Sequence, residues 1–262
     1  MPTTFTHDLF GRDVYRKLSP SLQDMIREYG ALYRIGQHGP DILFYYRVVK
    51  NRVNQLGSRM HKEPAKPFFE RGLERARKEK DKALLVYLLG FACHFMLDST
   101  CHPYIGILTD SRLVTHGHVE KELDRLLMQQ EGLNPYHYYP SRCIKPSIPA
   151  ARVIHKAIPE VSYPTVYATL RWMKFSTNLM VYDDRGRKQR ILLPLLDLCG
   201  LGESIGDNFM RRDADRSCRP YLEELQKLYR KAVEDTVSML EEFYQIYLHG
   251  GEVPERFNRD YN

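Results

Sequence analysis

The sequence holds one tryptophan and five cysteines in 262 residues, and no two cysteines form a CxxC pair. Cys93, Cys101, Cys143, Cys199 and Cys218 are odd in number and scattered, which argues against a disulfide framework or a zinc ribbon and points to reduced thiols. Low-complexity tracts and fixed-period repeats are missing, which sets aside disordered and solenoid architectures. Runs of strict apolar and polar alternation, the mark of half-buried strands, are scarce. The longest apolar stretch, Ala83 to Leu97, is shorter than the roughly 20 residues of a membrane span and contains His94, so it reads as a buried helix without stable membrane insertion. The opening MPTTFTHDLFGRD has no basic segment leading into an apolar one, so a secretory signal is not expected and a cytoplasmic location is.

What is present suits an ordinary globular chain, long enough to bury a large core without staples. Hydrophobic residues make up 43% and charged residues 27%, a balance under which an enzyme is not excluded. The 39 basic and 33 acidic residues leave a formal charge of +6, too mild an excess to dictate a nucleic-acid partner. The run from Arg71 to Lys82 mixes both signs at helical spacing and reads as a solvated face. Asp183 to Arg190 (DDRGRKQR) is a better basic candidate, although a Gly-centred turn explains it equally well.

Helical periodicity dominates, so the expected fold class is all-α, a multi-helix bundle; the residues below add the expectation of a buried multi-zinc site at its centre. Ser19 and Pro20 open a helix over 20–29, a further helix is expected from near Asp41, and Pro67 introduces one over 67–80. Lys82 to His102 forms the most apolar helix, with Pro103 ending it, so that His102 sits where the chain turns away. Prolines 135, 140, 146, 149, 159 and 164 make 131–164 an irregular connection or lid. Thr165–Met180, Pro194–Cys199 and Arg219–Leu248 read as helices. The domain expectation is thus a single all-α unit over 1–262, with a metal-site half 1–130, the irregular connection, and C-terminal helices in 165–250.

The chemistry is concentrated in His94-Phe95-Met96-Leu97-Asp98-Ser99-Thr100-Cys101-His102. At about 100° per residue, His94, Asp98 and His102 form one shallow stripe. The α-carbons of His94 and His102 stand about 12 Å apart at about 1.5 Å rise per residue, too far for one ion to serve both comfortably. More than one metal is therefore expected, with the two-oxygen carboxylate of Asp98 as the natural bridge. A lone histidine on an apolar helix is usually a core group bonded to backbone. Three polar groups in one stripe would each need a buried partner, a need that metal satisfies together. Cys101 lies on the same stripe as a thiolate candidate, though packing behind the site explains it better.

Downstream, THGHVEKELD offers His116 with Glu120 or His118 with Glu122 on one helix. Relative to the apolar face of Val119, Leu123, Leu126 and Leu127, the first pair borders the core and the second turns toward solvent, which favours His116 and Glu120 as ligands.

These motifs, taken in order with His7, Gly36-Gln37-His38-Gly39-Pro40-Asp41 and Gly57-Ser58-Arg59-Met60-His61, resemble the zinc-dependent phospholipase C family, which also contains single-strand-specific nucleases. The resemblance covers Met1 to Leu127. It implies that His61, His94 and Asp98 hold one Zn2+ and that His102, His116 and Glu120 hold a second. It also implies a third ion between Asp98 and His7, for which secreted relatives add the backbone of an amino-terminal tryptophan. This sequence has no tryptophan near its start, although loss of Met1 would leave the Pro2 imino group near His7. Asp41 matches the acidic residue that orients or deprotonates the attacking water, and it is the implied catalytic residue. The implied activity is metal-assisted hydrolysis of a phosphoester, the substrate being a phospholipid, a nucleic acid or a small molecule. A non-catalytic helical protein held together by metal is the other class to weigh. No obligate protein partner is evident, and Tyr136, Tyr138 and Tyr139 either stack bases or anchor their loop.

Overall fold

The computed structural model describes residues 4–47, 50–181, 187–198, 206, 209–210 and 213–261. Among these residues every regular element is helical and none is a strand, as the periodicity requires. The α-helices are α1 Thr4–Lys17, α2 Pro20–Glu28, α3 Gly30–Gly36, α4 Arg52–Lys62, α5 Lys66–Glu79, α6 Lys82–Asp110, α7 His116–Gln130, α8 Ile148–Ala157, α9 Tyr163–Leu179, α10 Arg187–Leu198 and α11 Arg219–His249, with a 3₁₀ turn over Gly39–Tyr45.

Helix α6 is the axis of the molecule. The Asp81 side chain caps it by accepting from the Leu84 N–H at 2.9 Å. Leu84 through Ser99 are all buried, so the helix is apolar on every side and must be surrounded. Its neighbours α3, α11, α5, α1 and α8 do this. By length and composition α6 could cross a membrane, yet 94% of its apolar window is buried inside the protein. Helix α11 lies along it through Leu222, Leu225, Tyr229, Ala232, Val233, Thr236, Met239, Leu240 and Phe243, spaced three and four apart.

The approach of α3 to α6 depends on two glycines. A Cβ on Gly90 would stand 2.2 Å from the Tyr33 carbonyl oxygen, and one on Gly36 would stand 2.5 Å from that of Tyr87. The two backbones therefore touch, and the segment after α3 is delivered directly onto His94.

Three expectations are corrected here. Helix α6 runs through Pro103 to Asp110, so His102 is inside a helix and not at its end. Pro103 removes one backbone donor and crowds Ser99, but Ile105 and Leu108 are buried beyond it, and that burial carries the helix on. Residues 131–164 are not wholly irregular: α8 lies within them, and Pro149 and Pro164 occupy first-turn positions of α8 and α9, where a missing N–H is harmless. Near Asp41 there is a 3₁₀ turn, and α4 begins only at Arg52, capped by Asn51, whose side chain accepts from the Val53 and Asn54 N–H groups. Helix α10 extends the expected Pro194–Cys199 helix back to Arg187, while Cys199, Asp183, Asp184 and the Met1–Pro2 start lie outside the described residues. Helices α1 and α3 lacked a legible boundary in the sequence. Cys93, Cys101, Cys143 and Cys218 are free and buried.

Candidate metal centre

Four elements converge on the buried stripe of α6. His7 comes from α1, Asp41 from the 3₁₀ turn, His61 from α4, and His116 and Glu120 from α7. One donor atom each from His7, Asp41, His94 and Asp98 lies within 4.8 Å of the others, and the same holds for His102, His116 and Glu120. Asp98 links the groups. Its carboxylate is 3.4 Å from His7 Nε2, 3.1 Å from His94 Nε2 and 3.6 Å from His102 Nε2. In the second group Glu120 Oε1 is 3.1 Å from His116 Nε2 and 3.6 Å from His102 Nε2.

Local chemistry aims these side chains. His61 Nδ1 donates to the Gly57 carbonyl at 2.8 Å, which leaves Nε2 to face Asp41 Oδ1 at 3.0 Å. A lone pair opposite a carboxylate requires a proton or a cation between them. Gly39 adopts φ of +44° and lies against the His94 ring, where any side chain would collide. The residues flanking His7 clamp α1: the Thr6 N–H and hydroxyl both donate to Asp124 of α7, at 2.9 and 2.7 Å, and Asp8 accepts two 2.7 Å bonds from the Arg34 fork of α3. Phe44 stacks on His61, and Tyr261 packs against both His61 and His94 at ring separations of 5.1 and 5.7 Å. The Tyr261 N–H donates to the His61 carbonyl, fixing this wall in place.

The site is electrostatically polarised. Burial keeps His7 neutral and pushes it down to about 4, against the pull of Asp98. Burial also opposes a charge on His102, but Asp98 and Glu120 outweigh it and push that imidazole up to about 9. Asp98 and Glu120 are buried, which alone would raise them, yet the histidines around each hold both far below the carboxylate range.

Metal fits these donors. His7 Nδ1, both ring nitrogens of His94, His102 Nδ1 and Glu120 Oε2 are buried with no hydrogen-bond partner, an expensive state that a cation taking one lone pair from each of these residues relieves. Imidazole nitrogens and carboxylate oxygens are the donors zinc accepts.

Asp41 stands at ligand distance from the other donors rather than set back from them, with Oδ1 toward His61 and Oδ2 3.7 Å from His94 Nδ1. The pair expected to face solvent, His118 and Glu122, is buried instead. A segment around Asp215 covers that side of α7: His118 Nε2 meets Asp215 Oδ2 at 2.9 Å, and Glu122 accepts from the Asp215 N–H and from Arg125. His118, Asp215 and Cys218 also cluster, but His118 and Asp215 already satisfy each other, so this group reads as a brace. His38 is buried with Nε2 3.3 Å from Cys143 Sγ. Cys101 is buried, its thiol pushed above the ordinary range by burial and then by Asp98.

A family model described as zinc dependent phospholipase C matches residues 6–163. The chain belongs to that family. The matched stretch holds every candidate ligand from His7 to Glu120, and membership implies a phospholipase C-like hydrolase that depends on zinc. Helices α9 to α11, apart from the first residue of α9, lie outside the match and supply the backing for this zinc-dependent phospholipase C core. Comparisons with curated proteins and with solved structures gave no match.

Proposed function

We propose that the chain is a zinc-dependent phosphodiester hydrolase acting on phospholipid. The convergence of two donor groups through the single carboxylate of Asp98 is the observation that carries this reading. In it, His61, His94 and Asp98 hold one ion, His102, His116 and Glu120 a second, and His7 with Asp98 a third. Bound zinc supplies an acidified water and charge neutralisation at the phosphoryl oxygens. Asp41 takes up the proton of the attacking water, its orientation held by His61. The histidines around them keep both carboxylates, Asp98 and Glu120, ionised and ready to bind.

Two of the three loop tyrosines favour lipid over a nucleic-acid strand, while Tyr139 is exposed. Tyr138 packs edge-on against Phe5 and Tyr136 lies under Arg125, so both anchor their loop and neither is presented for base stacking. The experiment is a substrate panel of phosphatidylcholine, single-stranded DNA and a small phosphodiester, run beside metal analysis of wild type and Asp41→Asn. The expected result is phosphatidylcholine cleavage, zinc retained in Asp41→Asn, and hydrolysis lost. Hydrolysis unchanged in Asp41→Asn, or protein that neither holds zinc nor is stabilised by it, overturns the reading.

A further inference from the structure

Helix α10 is unusual in this molecule: among its described side chains none is buried. Its exposed residues are Arg187, Arg190, Ile191, Pro194, Leu195 and Leu198, spaced three and four apart, so they share one face. Ile191 is 68% exposed, Leu195 54% and Leu198 85%. A soluble surface scatters single apolar residues and does not align large aliphatics in a stripe. The first turn of the same helix is basic, through Arg187, Lys188 and Arg190. Aliphatic residues along one face with arginine and lysine at their edge match a helix lying in the surface of an anionic bilayer.

A second apolar pair lies on α9, where Trp172 is 50% and Phe175 56% exposed, their rings edge to face at 5.7 Å beside Arg171 and Lys174. Tryptophan is favoured at the water–lipid boundary, where its ring is apolar and its N–H wet. The two helices are tied together, since Gln189 Nε2 donates to the Met210 carbonyl and the Met210 N–H donates to that of Met180, at the end of α9. Met180 and Met210 line one pocket with Thr4, Tyr45 and Lys121. Thr4 is one turn from His7, Tyr45 shares the 3₁₀ turn of Asp41, and Lys121 follows Glu120, so the tether of α10 lies on the side of the metal centre.

We propose that α10, with Trp172 and Phe175 beside it, docks the protein on an anionic phospholipid surface next to the candidate site. The proposal rests on the phospholipid reading of that site and deepens it by naming the surface from which substrate is drawn. A second copy of the chain is a poorer occupant. Three aliphatic side chains on a twelve-residue helix are a small part of the roughly 800 Å² that each partner buries in a stable interface.

The test is co-sedimentation of zinc-loaded full-length protein with vesicles of phosphatidylcholine alone or mixed with phosphatidylserine. Wild type is expected to partition roughly tenfold or more better onto the mixed vesicles, and raised salt is expected to remove the difference. Ile191→Glu, Leu195→Glu and Leu198→Glu together should abolish partition to both. Arg187→Gln, Lys188→Gln and Arg190→Gln together should abolish only the preference for phosphatidylserine. Because Ile191, Leu195 and Leu198 are exposed, thermal unfolding of the glutamate variant should overlay wild type. Wild type that does not sediment, variants that sediment like it, or a wild-type dimer that the glutamate variant turns to monomer would each overturn the proposal. Hydrolysis of a small phosphodiester without vesicles is followed separately. Its absence beside intact vesicle binding sinks the functional reading, and its presence without vesicle binding sinks only this one.

Discussion

Gly39 lies so near the His94 imidazole that a Cβ there would stand 2.2 Å from His94 Cδ2. Its φ of +44° is also one that side chains resist. Gly39→Ala must therefore either push His94 off its axis or unfold the turn carrying Asp41. The expected cost is about 2 kcal/mol or more in stability, with zinc content and hydrolysis both falling. Normal zinc content with an unchanged unfolding midpoint would refute this account of the turn.

Among the described residues Asp98 is the one carboxylate that touches histidines of both donor groups. Asp98→Asn should lower zinc stoichiometry in both, while His116→Ala should empty the second group and leave the first loaded. Metal analysis by mass spectrometry separates the two, and equal losses from the two variants would contradict a bridging role.

Tyr261 walls the site from far along the chain. Tyr261→Ala leaves a void beside His61 and His94 and should destabilise by about 3 to 5 kcal/mol. Tyr261→Phe keeps the ring and should hold zinc as wild type does. Calorimetry of both variants decides, and a mild effect of the alanine would mean that the ring is not a wall.

Protein stripped of zinc by a chelator should have a stability optimum near neutral pH. His7 titrates at about 4 when folded against 6.5 when unfolded, so the unfolded chain takes up its proton first and stability falls as pH drops from 6.5 toward 4. His102 titrates at about 9 when folded, so its contribution is complete below 6.5 and is lost as pH rises through 9. Unfolding midpoints across this range test both limbs, and His102→Gln should make the alkaline one shallower.

Pro103 is exposed on α6, so Pro103→Ala opens no cavity and restores a backbone donor. A gain of about 1 kcal/mol or more is expected, since proline in a helix interior is worth about 3 kcal/mol against alanine. A lower unfolding midpoint would mean that the proline bend itself positions His102.

The stripe His94, Asp98 and His102 was legible because helical spacing is a local property, and so was the pairing of His116 with Glu120, whereas their convergence beside His102 was implied only by the family resemblance. The Thr6–Asp124 bonds and the Tyr261 wall join residues remote in sequence and leave no periodic trace. His118 was misread for a related reason: helical angle placed it outside the core of α7, but the cover arrives from Asp215. Prolines 149 and 164 were read as interruptions, whereas each begins a helix, a distinction that depends on whether a buried face follows. The exposed stripe of α10 was hidden because the sequence alone does not say which helix face the core leaves uncovered.

The distance between His7 and Tyr261 along the chain bears on the order of events at the ribosome. A nascent chain that has reached Glu120 already carries every candidate ligand, but the ring that backs His61 and His94 is not yet made. Metal met at that stage finds imidazoles and carboxylates without their walls, open to exchange with water. The grip tightens only when the turn after α11 folds back and the Tyr261 N–H reaches the His61 carbonyl. Metal retention thus reports on whether the segment after α11 has docked, and not only on whether the ligands have been made.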